Sequence, residues 1–256
     1  MSKHRIVGAF VMALCCMALS ACGQWGSTQS VPITQVVVTT TTEPEIISSS
    51  GQRSGVSTKA AQKKLLSLGF WLLTPSGKYD ETTRQAVMAF QKYYLLRPTG
   101  SMNDATAFLL DKLDVRPQAQ ATEGTLAEVD KARQLLFLVE EGVTKYVINA
   151  STGDDRAYVE PDMNTPGVLI RGTAITPVGE FKTNRERSDG WWVGDLGQIY
   201  RPKYFGGGVA IHGSQTVPAY PASHGCVRVS TVAMDMIWNS GLLPLGSDVV
   251  VYGELS

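Results

Sequence analysis

The sequence carries no surplus of either charge. Lys plus Arg and Asp plus Glu number 23 each over 256 residues. With no basic excess to neutralise phosphates, nucleic acid is not expected as a partner. Long hydrophobic runs are also missing: the apolar stretch Ile6–Leu19 is too short for a comfortable transmembrane helix. Cysteine is scarce, with Cys15, Cys16, Cys22 and Cys226 making the four, and histidine scarcer still at three. Cys226 has no cysteine pair nearby, only His212 and His224, which leaves a zinc site short of ligands. No metal and no cofactor are expected.

Lys3, His4 and Arg5 precede the apolar stretch, which ends in Leu19-Ser20-Ala21-Cys22. This resembles a bacterial lipobox. The resemblance implies a lipoprotein signal peptide over 1–21, cut before Cys22, whose thiol then carries a diacylglycerol. An ordinary signal peptide cut nearby is the plainer alternative. The expected location is outside the cytoplasm, lipid-anchored to a bacterial membrane. Cys15 and Cys16 then leave and Cys22 is alkylated, so Cys226 has no partner for an intramolecular disulfide. Residues 22–56 are rich in Ser and Thr and read as a disordered linker. A tether of about 30 residues spans roughly 30 Å on average and about 100 Å when taut.

Residues 57–113 change character. Apolar positions recur at helical spacing in three runs: Ala61, Leu65 and Leu68; Ala86, Val87, Phe90 and Tyr94; Ala107, Leu110 and Leu113. Asp80 is a helix cap for the second, Asn103 or Asp104 for the third. Gly77-x-x-Asp80-x-x-Thr83 and Gly100-x-x-Asn103-x-x-Thr106 form an internal repeat. With Leu68-Gly69-Phe70, Phe90-Gln91 and Thr99-Gly100, these residues resemble the small three-helix peptidoglycan-binding domain of bacterial wall enzymes. A helical spacer without ligand is the competing reading.

Residues 114–125 read as a second linker, and 126–256 as a β-rich domain. Two strands flank a turn at Glu141-Gly142; "TPVGEF", "GGGVAIHG" and "GSDVVVYG" continue the pattern. One helix follows a Ser230 cap and stops at Gly241. The fold class expected is therefore α+β multidomain: a three-helix bundle, then a β-rich domain.

The histidines His212 and His224 both fall within fifteen residues of Cys226. In a strand, His224, Cys226 and Arg228 would share one face. A neighbouring histidine or arginine lowers a thiol's pKa and makes it a nucleophile. Gly225 lets a substrate backbone approach and leaves two amide N–H groups for an oxyanion. A buried core cysteine with structural histidines is the plain alternative.

"IHG" at 211–213 and "SHGCVRV" at 223–229 resemble the active-site signature of bacterial L,D-transpeptidases, the YkuD-type catalytic domain. "STG" at 151–153 and "TPVGEF" match flanking motifs. The resemblance implies that Cys226 attacks a peptidoglycan stem peptide, releases D-Ala and forms a thioester that cross-links stems. It makes His212 the base, steadied by the Gly213 carbonyl. His224 with the Gly225 and Cys226 amides shapes the oxyanion hole, although sequence proximity alone favours His224 as base. Ser223 orients His224 and Arg228 grips a substrate carboxylate, an ion pair being the structural alternative for Arg228. Trp191, Trp192, Tyr200 and Tyr204 wall the cleft or belong to the core. A catalytically idle wall-tethering lipoprotein and an L,D-carboxypeptidase remain the alternatives. The stretch 152–177 is long and polar for the substrate side.

Overall fold

A computed structural model describes residues 46–255. They belong to one compact unit. The expected signal peptide, with Cys15, Cys16 and Cys22, and most of the expected first linker lie outside the described residues.

Three helices come first: α1 (Val56–Ser67), α2 (Glu81–Tyr93) and α3 (Asp104–Lys112). The Asp80 carboxylate accepts from the Thr83 amide and the Asn103 side chain from the Thr106 amide, each capping its helix at 2.9 Å. The internal repeat has a physical cause. Gln62 accepts from the Gly77 amide (2.7 Å) and donates to Thr83 Oγ1 (2.7 Å) and the Lys78 carbonyl (2.8 Å). Gln91 does the same with the Gly100 amide (2.8 Å), Thr106 Oγ1 (3.0 Å) and the Ser101 carbonyl (3.0 Å). Each repeat is a turn closed around one fully buried glutamine whose polar atoms are thereby satisfied.

The Ser/Thr-rich stretch expected to stay disordered through residue 56 is fastened at its end. Ser48 and Ser57 exchange hydrogen bonds, and Gly51 bridges to Met102. The second linker carries no helix or strand but is pinned too. Arg116 donates to the Lys145 carbonyl (2.7 Å), and the Glu128 carboxylate accepts from the Gln120 and Ala121 amides.

The β-rich part has two five-stranded sheets. The first joins β1 (Leu126–Asp130), β2 (Leu135–Glu140), β3 (Val143–Asn149), β6 (Gly179–Lys182) and β12 (Asp248–Tyr252) in the order β3-β2-β1-β12-β6. The second joins β7 (Arg185–Glu186), β9 (Gly197–Gly206), β10 (Val209–Ser214) and β11 (Val227–Ser230) in the order β11-β10-β9-β7, with β8 (Trp191–Gly194) also on β9. A separate hairpin of β4 (Ala157–Pro161) and β5 (Leu169–Thr173) occupies the long polar stretch. The Glu141-Gly142 turn has positive φ at both residues (50° and 74°), which suits a two-residue hairpin.

Strand β2 decides the packing. Leu136 and Leu138 join Val129, Val249, Ile211, Val227 and Val229 between the sheets, where helix α4 (Thr231–Ser240) adds Met234 and Ile237. Leu135 and Phe137 point the other way and, with Val147, complete the core of the helical bundle around Phe70, Phe90 and Leu110. The bundle and the first sheet therefore share one apolar interior, because side chains alternate along a strand that is covered on both faces.

Candidate active site

Strands β10 and β11 run parallel, with His212 opposite Arg228. The strand that was to carry His224, Cys226 and Arg228 on one face begins only at Val227, so His224, Gly225 and Cys226 form a turn leading into it. Val227 and Val229 are buried, while Cys226 and Arg228 face a cavity of about 640 Å³. His212, Ser223, His224 and Gly225 line the same cavity. The turn needs glycine: Gly225 has φ 132°, and a Cβ there would lie 2.8 Å from the Ile175 carbonyl oxygen. Gly153 is held as closely, since a Cβ on it would overlap the Ala174 carbonyl.

His212 is buried, and its Nδ1 lies 2.8 Å from the Gly213 carbonyl oxygen. A carbonyl has no proton to give, so Nδ1 carries the hydrogen and Nε2 of the neutral ring keeps its lone pair. Burial pulls the imidazole pKa down to about 4, helped by the positive charge of Arg228 against the Gly213 bond. Burial pushes the Cys226 thiol up, while the Ala210 amide and Arg228 oppose this. At neutral pH the resting pair is thus thiol and neutral imidazole.

Two expectations change. Ser223 does not orient His224. Its hydroxyl donates to the Cys226 carbonyl (2.5 Å) and accepts from the Gly225 amide (3.0 Å), tying the turn together. The Gly225 amide is therefore occupied by the turn and not left for an oxyanion. His224 instead packs edge-on against Tyr158 (centroids 4.8 Å apart) with Nε2 3.9 Å from Glu160 Oε1, both residues of β4.

The four aromatics separate into different tasks. Tyr204 lines the cavity and carries the Arg185 guanidinium 3.9 Å above its ring. Trp192 does the same for Arg187 at 4.1 Å. Trp191 lines a smaller adjoining cavity that shares Arg228 and Gln198. Tyr200 is tied to α4 through Asp235 (3.0 Å). Arg185 and Arg187 also line the main cavity, and Glu186 between them pairs with Lys203 at 2.7 Å.

Sequence reasoning missed the support behind the turn. The Thr152 carbonyl accepts from the Ala222 and Ser223 amides, and Ser151 bridges Arg228. Thr176 accepts from the Gly153 amide and donates to the Gly225 carbonyl (2.6 Å). The signal was present, since these residues stand in "STG" and "TPVGEF", but neither motif states which residue its atoms will reach. Among the described residues, no three or more His, Cys, Asp or Glu side chains converge as a metal site would need.

The family model of the YkuD L,D-transpeptidase catalytic domain matches residues 124–251, and that of a peptidoglycan-binding domain matches 54–110. Among solved structures, an L,D-transpeptidase from Xylanimonas cellulosilytica is 40% identical, with a TM-score of 0.72 over 82% of this chain and all of that one. An L,D-transpeptidase from Stackebrandtia nassauensis is 21% identical at a TM-score of 0.44, covering 81% of this chain and 95% of that one. That second likeness is too distant to carry weight. Among curated proteins none matches. With half its length in the catalytic match and a relative of 40% identity covered from end to end, the chain belongs to the L,D-transpeptidase family, a YkuD catalytic domain preceded by a peptidoglycan-binding domain.

Proposed function

We propose that the protein is a peptidoglycan L,D-transpeptidase that works through a thioester on Cys226. The observation carrying this is the pairing, in one cavity, of the Cys226 thiol with a neutral His212 whose Nδ1 is fixed on Gly213. As Sγ attacks the carbonyl of the donor's third residue, its proton passes to His212 Nε2. The carbonyl becomes a tetrahedral oxyanion, for which the Cys226 amide is the donor we assign. The C–N bond then breaks, His212 returns the proton to the departing D-Ala amine, and a thioester remains. An acceptor amine on a second stem attacks that carbonyl, losing a proton through His212. The C–S bond breaks, and Cys226 regains its proton as the new amide forms.

Both groups rest uncharged, so proton transfer accompanies attack and no stored thiolate is needed. Arg185, Arg187 and Arg228 make the cavity wall cationic, which suits a peptide bearing free carboxylates. His224 on Tyr158 positions the β4–β5 hairpin beside the reacting carbon. We propose further that Cys22 is lipidated and holds the enzyme outside a bacterial membrane, supported by Leu19-Ser20-Ala21-Cys22. Palmitate labelling of the wild type and its loss in Cys22→Ala test that part.

Intact-mass spectrometry after mixing with a donor tetrapeptide tests the chemistry. The expected adduct is the peptide less D-Ala, on the wild type and absent from Cys226→Ser. A wild type that gains no mass sinks the cysteine acyl-transfer reading. A carbapenem should leave a longer-lived adduct on the same thiol.

A further inference from the structure

Helix α2 belongs to the peptidoglycan-binding bundle, yet two of its buried polar side chains reach past the bundle. Gln85 Nε2 donates to the Val217 carbonyl (3.2 Å), and its Oε1 accepts from Asn149 Nδ2 (2.5 Å). Asn149 Nδ2 also reaches the Val217 carbonyl at 3.4 Å. Val217 sits in the connection from His212 to Cys226 and is itself buried. About two turns further along α2, Lys92 Nζ donates to the Gln134 and Ala150 carbonyls, both at 3.0 Å. No carboxylate partners this ammonium among the described residues, and burial pulls its pKa down to about 7.

What these groups hold leads to the nucleophile. Gln134 clamps Thr152 through both side-chain atoms at 2.8 Å. The Thr152 carbonyl then receives the amides of Ala222 (2.9 Å) and Ser223 (3.0 Å). Ser223 ties the Gly225-Cys226 turn, and Ser151 Oγ donates to the Tyr220 carbonyl at 2.8 Å. Two routes therefore run from α2 to the segment that carries Cys226, one at each end.

We propose that Gln85 and Lys92 are positioning residues of the active site, so that the wall-binding bundle sets the geometry of the Cys226 turn as well as binding the wall. This rests on the thioester reading for its kinetic consequence only. A polar group buried in a helix-to-loop contact costs free energy unless satisfied, so the loop stays where the donors on α2 put it. Small misplacements of a nucleophile lower the rate of the chemical step steeply.

The test uses the full chain with Gln85→Met and Lys92→Met, which keep a long side chain to fill the space and remove the hydrogen bonds. Leu110→Val, which loosens the bundle core on α3, is the control for mere destabilisation. Single-turnover acylation at saturating donor is expected to fall about tenfold in both Met variants, with apparent donor affinity and pull-down on insoluble wall unchanged. Hydrogen exchange over 214–226 should speed up in the Met variants and not in Leu110→Val, and this requires no substrate. The proposal is overturned if both Met variants keep wild-type acylation and exchange, or if Leu110→Val matches them. A wild type that forms no adduct would sink the thioester reading alone, and exchange would still decide the positioning claim.

Discussion

On one side of Cys226, residues 150–153 are fully buried and hydrogen-bonded both toward the catalytic turn and back to Gln134. On the other side the β4–β5 hairpin leaves Val159, Val168 and Leu169 about half exposed, and β8 leaves Val193 so. The two hairpins meet at their tips, where Asn164 Nδ2 donates to Asp195 Oδ1 (2.7 Å) and the Met163 amide to the Asp195 carbonyl (2.8 Å). One wall thus holds the Cys226 turn by buried hydrogen bonds and shared core, and the other lines the cavity with little apolar burial. Local stability differs accordingly, and access belongs to the loosely packed wall.

Removing the chemistry from the rigid wall should have the largest effect. His212→Ala is expected to slow acylation about a hundred- to ten-thousand-fold, and His224→Ala, which packs on the loosely packed hairpin, distinctly less. Single-turnover rates in the reverse order would move the base role to His224 and erase the contrast between the walls.

Next comes the core that both domains use. Phe137→Ala should cost about 3–5 kcal/mol of stability. Because Phe137 packs into the bundle core from a catalytic strand, wall binding and acylation should fail over the same denaturant range. Two separate transitions would show that the domains are independent.

Acid acts on the same wall. The folded pKa of His212 is about 4 against an ordinary value of 6.5. Between those values the unfolded chain takes up a proton that the folded chain refuses. The contribution, about 3 kcal/mol, is therefore complete above pH 6.5 and lost as pH falls through 4. His212→Asn should show a flatter decline of melting temperature over that window, and an unchanged slope would contradict a buried neutral imidazole.

The smallest effect is expected at the hairpin tips. Asn164→Ala removes one exposed hydrogen bond, worth under about 1 kcal/mol. It should leave the melting temperature nearly unchanged and raise KM for the donor more than it lowers kcat. A large fall in kcat would mean that the loosely packed wall also orients the reacting groups.

Much of this was legible beforehand. Helix caps at Asp80 and Ser230, the turn at Glu141-Gly142 and the three apolar stripes follow from local rules that need no partner. The grouping of His212, His224 and Cys226 was legible because few such residues exist. Illegible were the roles that depend on where a second segment arrives: Ser223 bonding the turn and not His224, Thr176 closing on Gly225, and Gln85 reaching Val217. A hydroxyl or amide in a sequence offers donors and acceptors without an address.

The same division holds for the molecule as a whole. Period and punctuation in the sequence determined a helical bundle and a β-rich domain, because each follows from chain-local sterics and burial preference, and the sequence itself set Cys226 close to two histidines. "LLFLV" in β2 signalled burial, but its alternation could not say that Leu135 and Phe137 would fill the bundle while Leu136 and Leu138 filled the space between the sheets. Only tertiary packing decided that, since hydrophobic burial is non-directional and takes its partners from whatever surface the fold brings up.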